Sequence, residues 1–120
     1  MQKITQKADF DDIMAQAVVA STAHFVLHMR QASSVNRIGA VVPKRWAKKA
    51  VTRNAIKRQI YACASQQAFV NAPADRVVRL RRTWDPQRYL SASSSALKQA
   101  VRSELLQLFE RENPAPCDAS

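Results

Sequence analysis

RIGAVVPKRWAKKAVTRNAIKRQIYACASQQAF, residues 37–69, passes from a strand into a long helix, and the rest of the chain has to be arranged around that switch. RIGAVV reads as a strand, and Pro43 ends it because proline cannot donate to a ladder and biases its predecessor away from helix. From Lys48 to about Phe69 there is no Gly or Pro, and the wealth of Ala, Gln, Lys and Arg favours helix. On that helix Ile56, Ile60 and Cys63 fall on one stripe, while Asn54, Lys57, Arg58 and Tyr61 recur at i, i+3, i+4 and i+7 on another. The helix therefore packs through its isoleucines and presents an amide, two cations and a phenol side by side. Arg53 flanks that stripe, and Lys44, Arg45, Lys48 and Lys49 crowd its approach.

The flanking sequence supplies the other elements. Residues 8–17, ADFDDIMAQA, space Phe10, Ile13, Met14 and Ala17 as an amphipathic helix with Asp9 as N-cap. AHFVLHMR, residues 23–30, alternates Phe25, Leu27 and Met29 against His24, Val26, His28 and Arg30, the pattern of a strand. QASSVN then reads as a hairpin loop, which would pair this strand antiparallel with RIGAVV. NAPAD breaks the central helix, DRVVRLRR (75–82) is a third strand and TWDPQRYL a loop. SSALKQAVRSELLQLFERE closes the fold as a helix with Leu97, Val101, Leu105 and Leu108 inward. The order is α-β-β-α-β-α in one α+β domain spanning 1–112, and the tail NPAPCDAS, 113–120, is expected to be disordered.

Charge narrows the partners. The 120 residues carry 19 Lys and Arg against 9 Asp and Glu, a net charge of +10 that suits a polyanion. Between Asp12 and Asp75 there is no acidic residue, while Arg30, Arg37, Lys44, Arg45, Lys48, Lys49, Arg53, Lys57 and Arg58 all fall there, so nothing within the segment neutralises them. Like charges four apart, such as Lys49 with Arg53 and Arg53 with Lys57, destabilise an isolated helix by about 0.2–0.5 kcal/mol each. That arrangement suits phosphate contacts, which release counterions and give affinity a steep salt dependence. Asn54 adds an amide that both donates and accepts, able to hold a phosphate, a 2′-hydroxyl or a base edge.

Other classes are poorly supplied. Two cysteines, Cys63 in the helix and Cys117 in the tail, make neither a disulfide framework nor a metal cluster, and a reducing compartment fits. MQKITQKADFDDIM lacks the apolar segment of a signal peptide, and no apolar run approaches the ~18 residues that span a bilayer. A cytoplasmic protein with no membrane partner and no small-molecule substrate is expected. Asp9, Asp11 and Asp12 cluster at one helix start while Asp75 and Asp85 stand alone, no set for two divalent ions, so the chain carries no expected catalytic residue. His24 and His28 lack a third ligand and read as surface or RNA-facing groups rather than a metal site. Trp46 and Trp84 read as packing residues or loop anchors. A helix-turn-helix is absent, which disfavours a DNA-binding module.

RIGAVVPKRWAKKAVTRNAIKRQIY resembles the signature region of the bacterial ribonuclease P protein subunit, whose central helix carries Arg-Asn-x-x-Lys-Arg after a strand and a basic turn. The similarity runs from about Ala8 to Arg111, through ADF, FVLHMR, DRVV and the closing helix. It implies a small α/β sandwich like domains of ribosomal proteins, a mixed sheet packed with helices and containing a left-handed βαβ crossover. It also implies an accessory role beside a catalytic RNA that uses divalent ions, with Mg2+ expected in the holoenzyme and no cofactor in the protein alone. The partners implied are ribonuclease P RNA and precursor tRNA, whose 5′ leader is removed to leave the mature end.

Carried over by position, Lys44, Arg45, Arg53, Asn54, Lys57 and Arg58 face the RNA, and Lys48, Lys49 and Tyr61 complete that candidate surface. Phe10, Met14, Phe25 and His28 occupy positions that line or border the leader cleft. The chain departs from the family pattern at several places. Tyr61 and Ala62 stand where another Arg and often a Glu follow the motif, so a stack on a base, about 1–3 kcal/mol in suitable sites, replaces a phosphate contact. Met14 and His28 stand where aromatics are frequent, and Arg79 where the third strand is usually apolar. The alternative reading is a structural RNA-binding protein of ribosomal type, which needs the basic surface and not the leader cleft.

Overall fold

The computed structural model describes residues 2–32, 35–67, 69, 73–83 and 95–112. Its elements are β1 (Gln2–Lys3), α1 (Lys7–Met14), β2 (Val18–Ser21), β3 (Phe25–Gln31), β4 (Arg37–Val41), α2 (Ala50–Ser65), β5 (Ala74–Leu80) and α3 (Ser95–Glu112). The expected succession of three helices and three strands is present, with β1 and β2 as additional short strands. Both additions are too brief for an alternation to register. Trp84, Asp85, Cys117, most of the expected 83–90 loop and the expected tail lie outside the described residues.

The five strands form one mixed sheet in the order β1-β4-β5-β3-β2. β5 runs parallel to β4 and antiparallel to β3, so the expected β3–β4 hairpin does not form and β5 sits between the two. The link from Gln31 to Arg37 steps across one strand, about 10 Å, a distance that its residues span easily. It is tied to the start of β5, since Ala32 N donates to Pro73 O at 3.2 Å and Ala74 N to Asn36 Oδ1 at 2.9 Å. The third strand is thus the central one, and its near-continuous burial is what a strand covered on both faces requires. α2 makes the crossover from β4 to β5.

Strand alternation divides the sheet into two faces. On one, Phe25, Leu27, Ile38, Ala40, Val78 and Leu80 meet Ile56, Ile60 and Cys63 of α2 and Leu97, Val101, Leu105 and Leu108 of α3. Burial pushes the Cys63 thiol pKa up, as befits a core residue. This face also holds Arg76, fully buried, whose Nε and Nη2 donate to Glu112 Oε1 and Oε2 at 2.5 and 2.9 Å. Arg76 Nη1 donates to Asn36 Oδ1 at 2.9 Å, and its guanidinium carbon lies 3.8 Å from the Phe69 ring centroid. The last turn of α3 is thereby clamped to the central strand.

On the other face α1 covers a smaller cluster of Ile4, Ile13 and Val77, with Phe10, Met14 and Val41 packed against it. Its N-cap is Gln6, not Asp9, and the helix stops at Met14. Phe10 lies on Gly39, the chain's only glycine, where an added Cβ would fall 2.9 Å from Phe10 Cζ and closer still to Cε1. Gly39→Ala should therefore displace the ring and destabilise the fold by about 1–3 kcal/mol. Chemical denaturation checks this, and the same substitution in a Phe10→Leu background should cost less.

Candidate RNA interface

α2 begins without a conventional cap. Lys49 is its N-cap with no side-chain hydrogen bond, and no acidic residue occupies the first turn. The positive end of the helix dipole is thus joined by Lys44, Arg45, Lys48 and Lys49, all exposed, so the potential there is uncompensated. Pro43 O accepts from Trp46 N at 3.0 Å and Ala47 N at 3.2 Å, which forms the turn that carries these cations. Trp46 packs against the core, with the Arg45 guanidinium carbon 5.1 Å from its ring centroid.

Arg53 differs from its neighbours. Its Nη1 donates to Ala47 O and Lys48 O, each at 2.9 Å, so its guanidinium braces the turn against the first coil of α2. Asn54 and Arg58 are exposed and Lys57 and Tyr61 half-buried, all on the stripe that the helical period predicts. The side chains of Asn54, Lys57 and Arg58 have no hydrogen-bond or ion-pair partner among the described residues. Val51, 66% exposed, borders the same stripe, although a valine in a helix reads as core from sequence. Tyr61 packs against the core, and Lys3 Nζ lies 4.4 Å from its ring centroid.

The α1 face is built in three rows across β3, β5 and β4. Arg30, Asp75 and Arg37 form the first, His28, Val77 and Gly39 the second, and Val26, Arg79 and Val41 the third. Asp75, only 3% exposed, accepts from Arg37 Nε and Nη2 and from Arg30 Nη2, each at 2.7 Å. Arg30 Nη1 also pairs with Asp12 at 2.5 Å, and Arg37 Nη1 lies 3.5 Å from Asp9. Two cations of the acid-free window are therefore neutralised through space, and Asp75 is not isolated. Hydrogen bonds from Arg37 and then Arg30 hold the Asp75 carboxyl below the ordinary carboxylate range against the opposing effect of burial, and the same bonds raise both arginines.

A folded-state pKa below the unfolded value contributes stability above the unfolded pKa of about 4, lost as pH falls through the folded value. Wild-type stability should fall with acid below about pH 4. Asp75→Asn should cost about 1–3 kcal/mol at pH 7, discounted because both arginines keep access to water, and should flatten that acid limb. Denaturant titrations at several pH values check it.

The proposed cleft residues separate. Phe10 and Met14 come together, half-buried, on the α1 face. Phe25 is fully buried in the core of the opposite face, where it cannot border that cleft. His28 lies on the α1 face but is an interior residue, 5% exposed, and not a surface group. Its Nδ1 is 3.0 Å from Gln16 O, an arrangement in which Nδ1–H donates to the carbonyl, and its Nε2 is buried without a partner. His24 turns to the other side, with Nδ1 2.8 Å from Glu104 Oε1. Arg79 is half-buried in the third row, and no described residue pairs with it. Its parity with Asp75 and Val77 would have assigned its face from sequence.

A small α+β sandwich with a cation-rich, carboxylate-free helix stripe defines an RNA-binding protein. A family model described as Ribonuclease P matches residues 1–111. The "Ribonuclease P protein component" of Ralstonia pickettii is 33% identical over 109 residues, covering 90% of this chain and 76% of the relative. That of Paraburkholderia xenovorans is 29% identical over 114 residues, covering 91% and 78%. Among solved structures, the Staphylococcus aureus RNase P protein superposes with a TM-score of 0.70 at 22% identity over 92% of this chain and 94% of that one. The Thermotoga maritima RNase P protein gives 0.68 at 23% identity over 92% and 97%. The chain belongs to the Ribonuclease P protein family. It is thus a protein component of ribonuclease P, in tRNA 5′ processing, and the ribosomal-type alternative falls away.

Proposed function

We propose that this chain binds the ribonuclease P RNA through the Pro43–Lys49 turn and the α2 stripe, and the 5′ leader of precursor tRNA along the α1 face. The observation that carries the first half is the unpartnered set Asn54, Lys57 and Arg58 beside an uncapped, cation-ringed helix start. Hydrolysis of the leader belongs to the RNA, and the protein acts by holding both RNAs in register. In this reading Mg2+ belongs to the RNA; among the described residues no group of three or more His, Cys, Asp or Glu could hold a metal ion. No helix among them is long and apolar enough to cross a membrane, and the cytoplasm is the compartment proposed.

Phe10, Met14, Val41 and Arg79 are the leader-facing candidates that the α1 face supports. An apolar floor beside a single unpaired guanidinium suits a strand whose bases lie against the protein while one phosphate is neutralised.

The test adds the purified chain to a bacterial ribonuclease P RNA and precursor tRNA at low Mg2+ and measures 5′ maturation. Stimulation is expected, and none at any protein concentration would overturn the proposal. Arg79→Leu should weaken the gain from a longer leader while leaving RNA-subunit binding intact. An unchanged leader response would remove Arg79 from the cleft.

A further inference from the structure

β1 brings a further cation to the α2 stripe. The chain alternates as it leaves this strand. Ile4, 3% exposed, turns into the α1-side cluster, whereas Lys3, in register with Ile38, turns to the α2 side. Backbone bonds secure the placement, with Gln2 N donating to Asn36 O at 3.1 Å and Ile4 N to Ile38 O at 2.9 Å. Lys3 Nζ then sits 4.4 Å from the Tyr61 ring centroid, and the ammonium has no carboxylate partner among the described residues. Tyr61 is held by the core of that face, one helical turn beyond Lys57 and Arg58.

We propose that Lys3 and Tyr61 form one composite phosphate contact: the ring fixes the ammonium, and the ammonium binds a phosphodiester of the RNA subunit. The proposal rests on the α2 stripe facing that RNA. An ammonium on a four-carbon stem is otherwise free to wander, and a ring face attracts and localises it. A half-buried ring anchored in the core is a fixed platform, whereas Lys3 is exposed. The ring face under the ammonium is closed to a base, so Tyr61 acts as a positioning residue and not as the stacking platform expected from sequence. The cation line of α2 is thereby lengthened by a residue from the edge strand next to β4.

The test measures affinity for ribonuclease P RNA against salt, alongside stimulation of cleavage. Each phosphate contact adds roughly 0.7–0.9 to the slope of log affinity on log salt. Lys3→Met should remove one such increment, so that its affinity disadvantage is about threefold larger at 50 mM than at 200 mM salt. Tyr61→Phe should keep the slope, Tyr61→Leu should lower it as Lys3→Met does, and the double variant Lys3→Met/Tyr61→Leu should be no worse than either single one. An unchanged slope for Lys3→Met would overturn the proposal, and Lys3 is exposed, so that variant tests it without risk to the core. Independent losses for the two residues would overturn it too, because Tyr61 would then meet the RNA directly. If wild type binds the RNA with a Lys3-dependent slope yet stimulates no cleavage, the functional proposal fails and this one stands. If it stimulates normally and Lys3→Met behaves as wild type, only this one fails.

Discussion

Glu112→Ala is expected to lower stability by about 3–5 kcal/mol, because it leaves the Arg76 guanidinium buried without its carboxylate. Arg76 is fully buried on the central strand, and Glu112 takes both of its parallel donors. A domain stable by ~5–15 kcal/mol would lose a large share of its margin. In urea the midpoint should fall by at least about 1 M with little change in slope. The double substitution Arg76→Met/Glu112→Leu should recover most of the loss, because a buried pair replaced by apolar side chains of similar volume is often neutral or stabilising. A wild-type midpoint for Glu112→Ala would show that the clamp between α3 and β5 contributes nothing to stability.

Lys57→Ala/Arg58→Ala should have the largest effect on RNA binding, lowering the salt slope by about 1.4–1.8. Both cations are free of carboxylates among the described residues, so their removal breaks no internal pair and stability should stay within about 0.5 kcal/mol. Asn54→Ala should behave differently. Loss of a hydrogen bond to a charged group, ~1.5–3 kcal/mol, reduces affinity at least about tenfold but leaves the salt slope unchanged. Filter binding or fluorescence titration at several salt concentrations separates the two signatures. Wild-type affinity and slope in both variants would make the stripe a solvated surface. Arg53→Ala, in contrast, should loosen the turn before α2, since its guanidinium holds Ala47 O and Lys48 O.

The helical elements were legible because their periods are local properties. Ile56, Ile60 and Cys63 of α2, and Leu97, Val101, Leu105 and Leu108 of α3, are all buried where their spacing puts them. Strand order was not legible. A short polar link between two strand patterns reads as a hairpin, and only the return of β5 after α2, competing for both edges, places it between β3 and β4. One cleft assignment contradicted information already in the sequence. Phe25 and His28 differ in parity along β3, so both cannot face the same side of a sheet.

Local sequence determined which segments are helix and strand, which helix face is apolar, and that Asn54, Lys57, Arg58 and Tyr61 share a stripe, because each follows from spacing along one element. Tertiary structure alone decided which cations remain available. Arg30 and Arg37 are met by Asp75 from a strand more than thirty residues away, Arg53 turns to backbone carbonyls, and Lys3 arrives beside Tyr61 from the N-terminal strand, more than fifty residues earlier in the chain. Charge along a chain adds up without regard to geometry, whereas neutralisation needs groups within a few ångströms, and that proximity is created by folding.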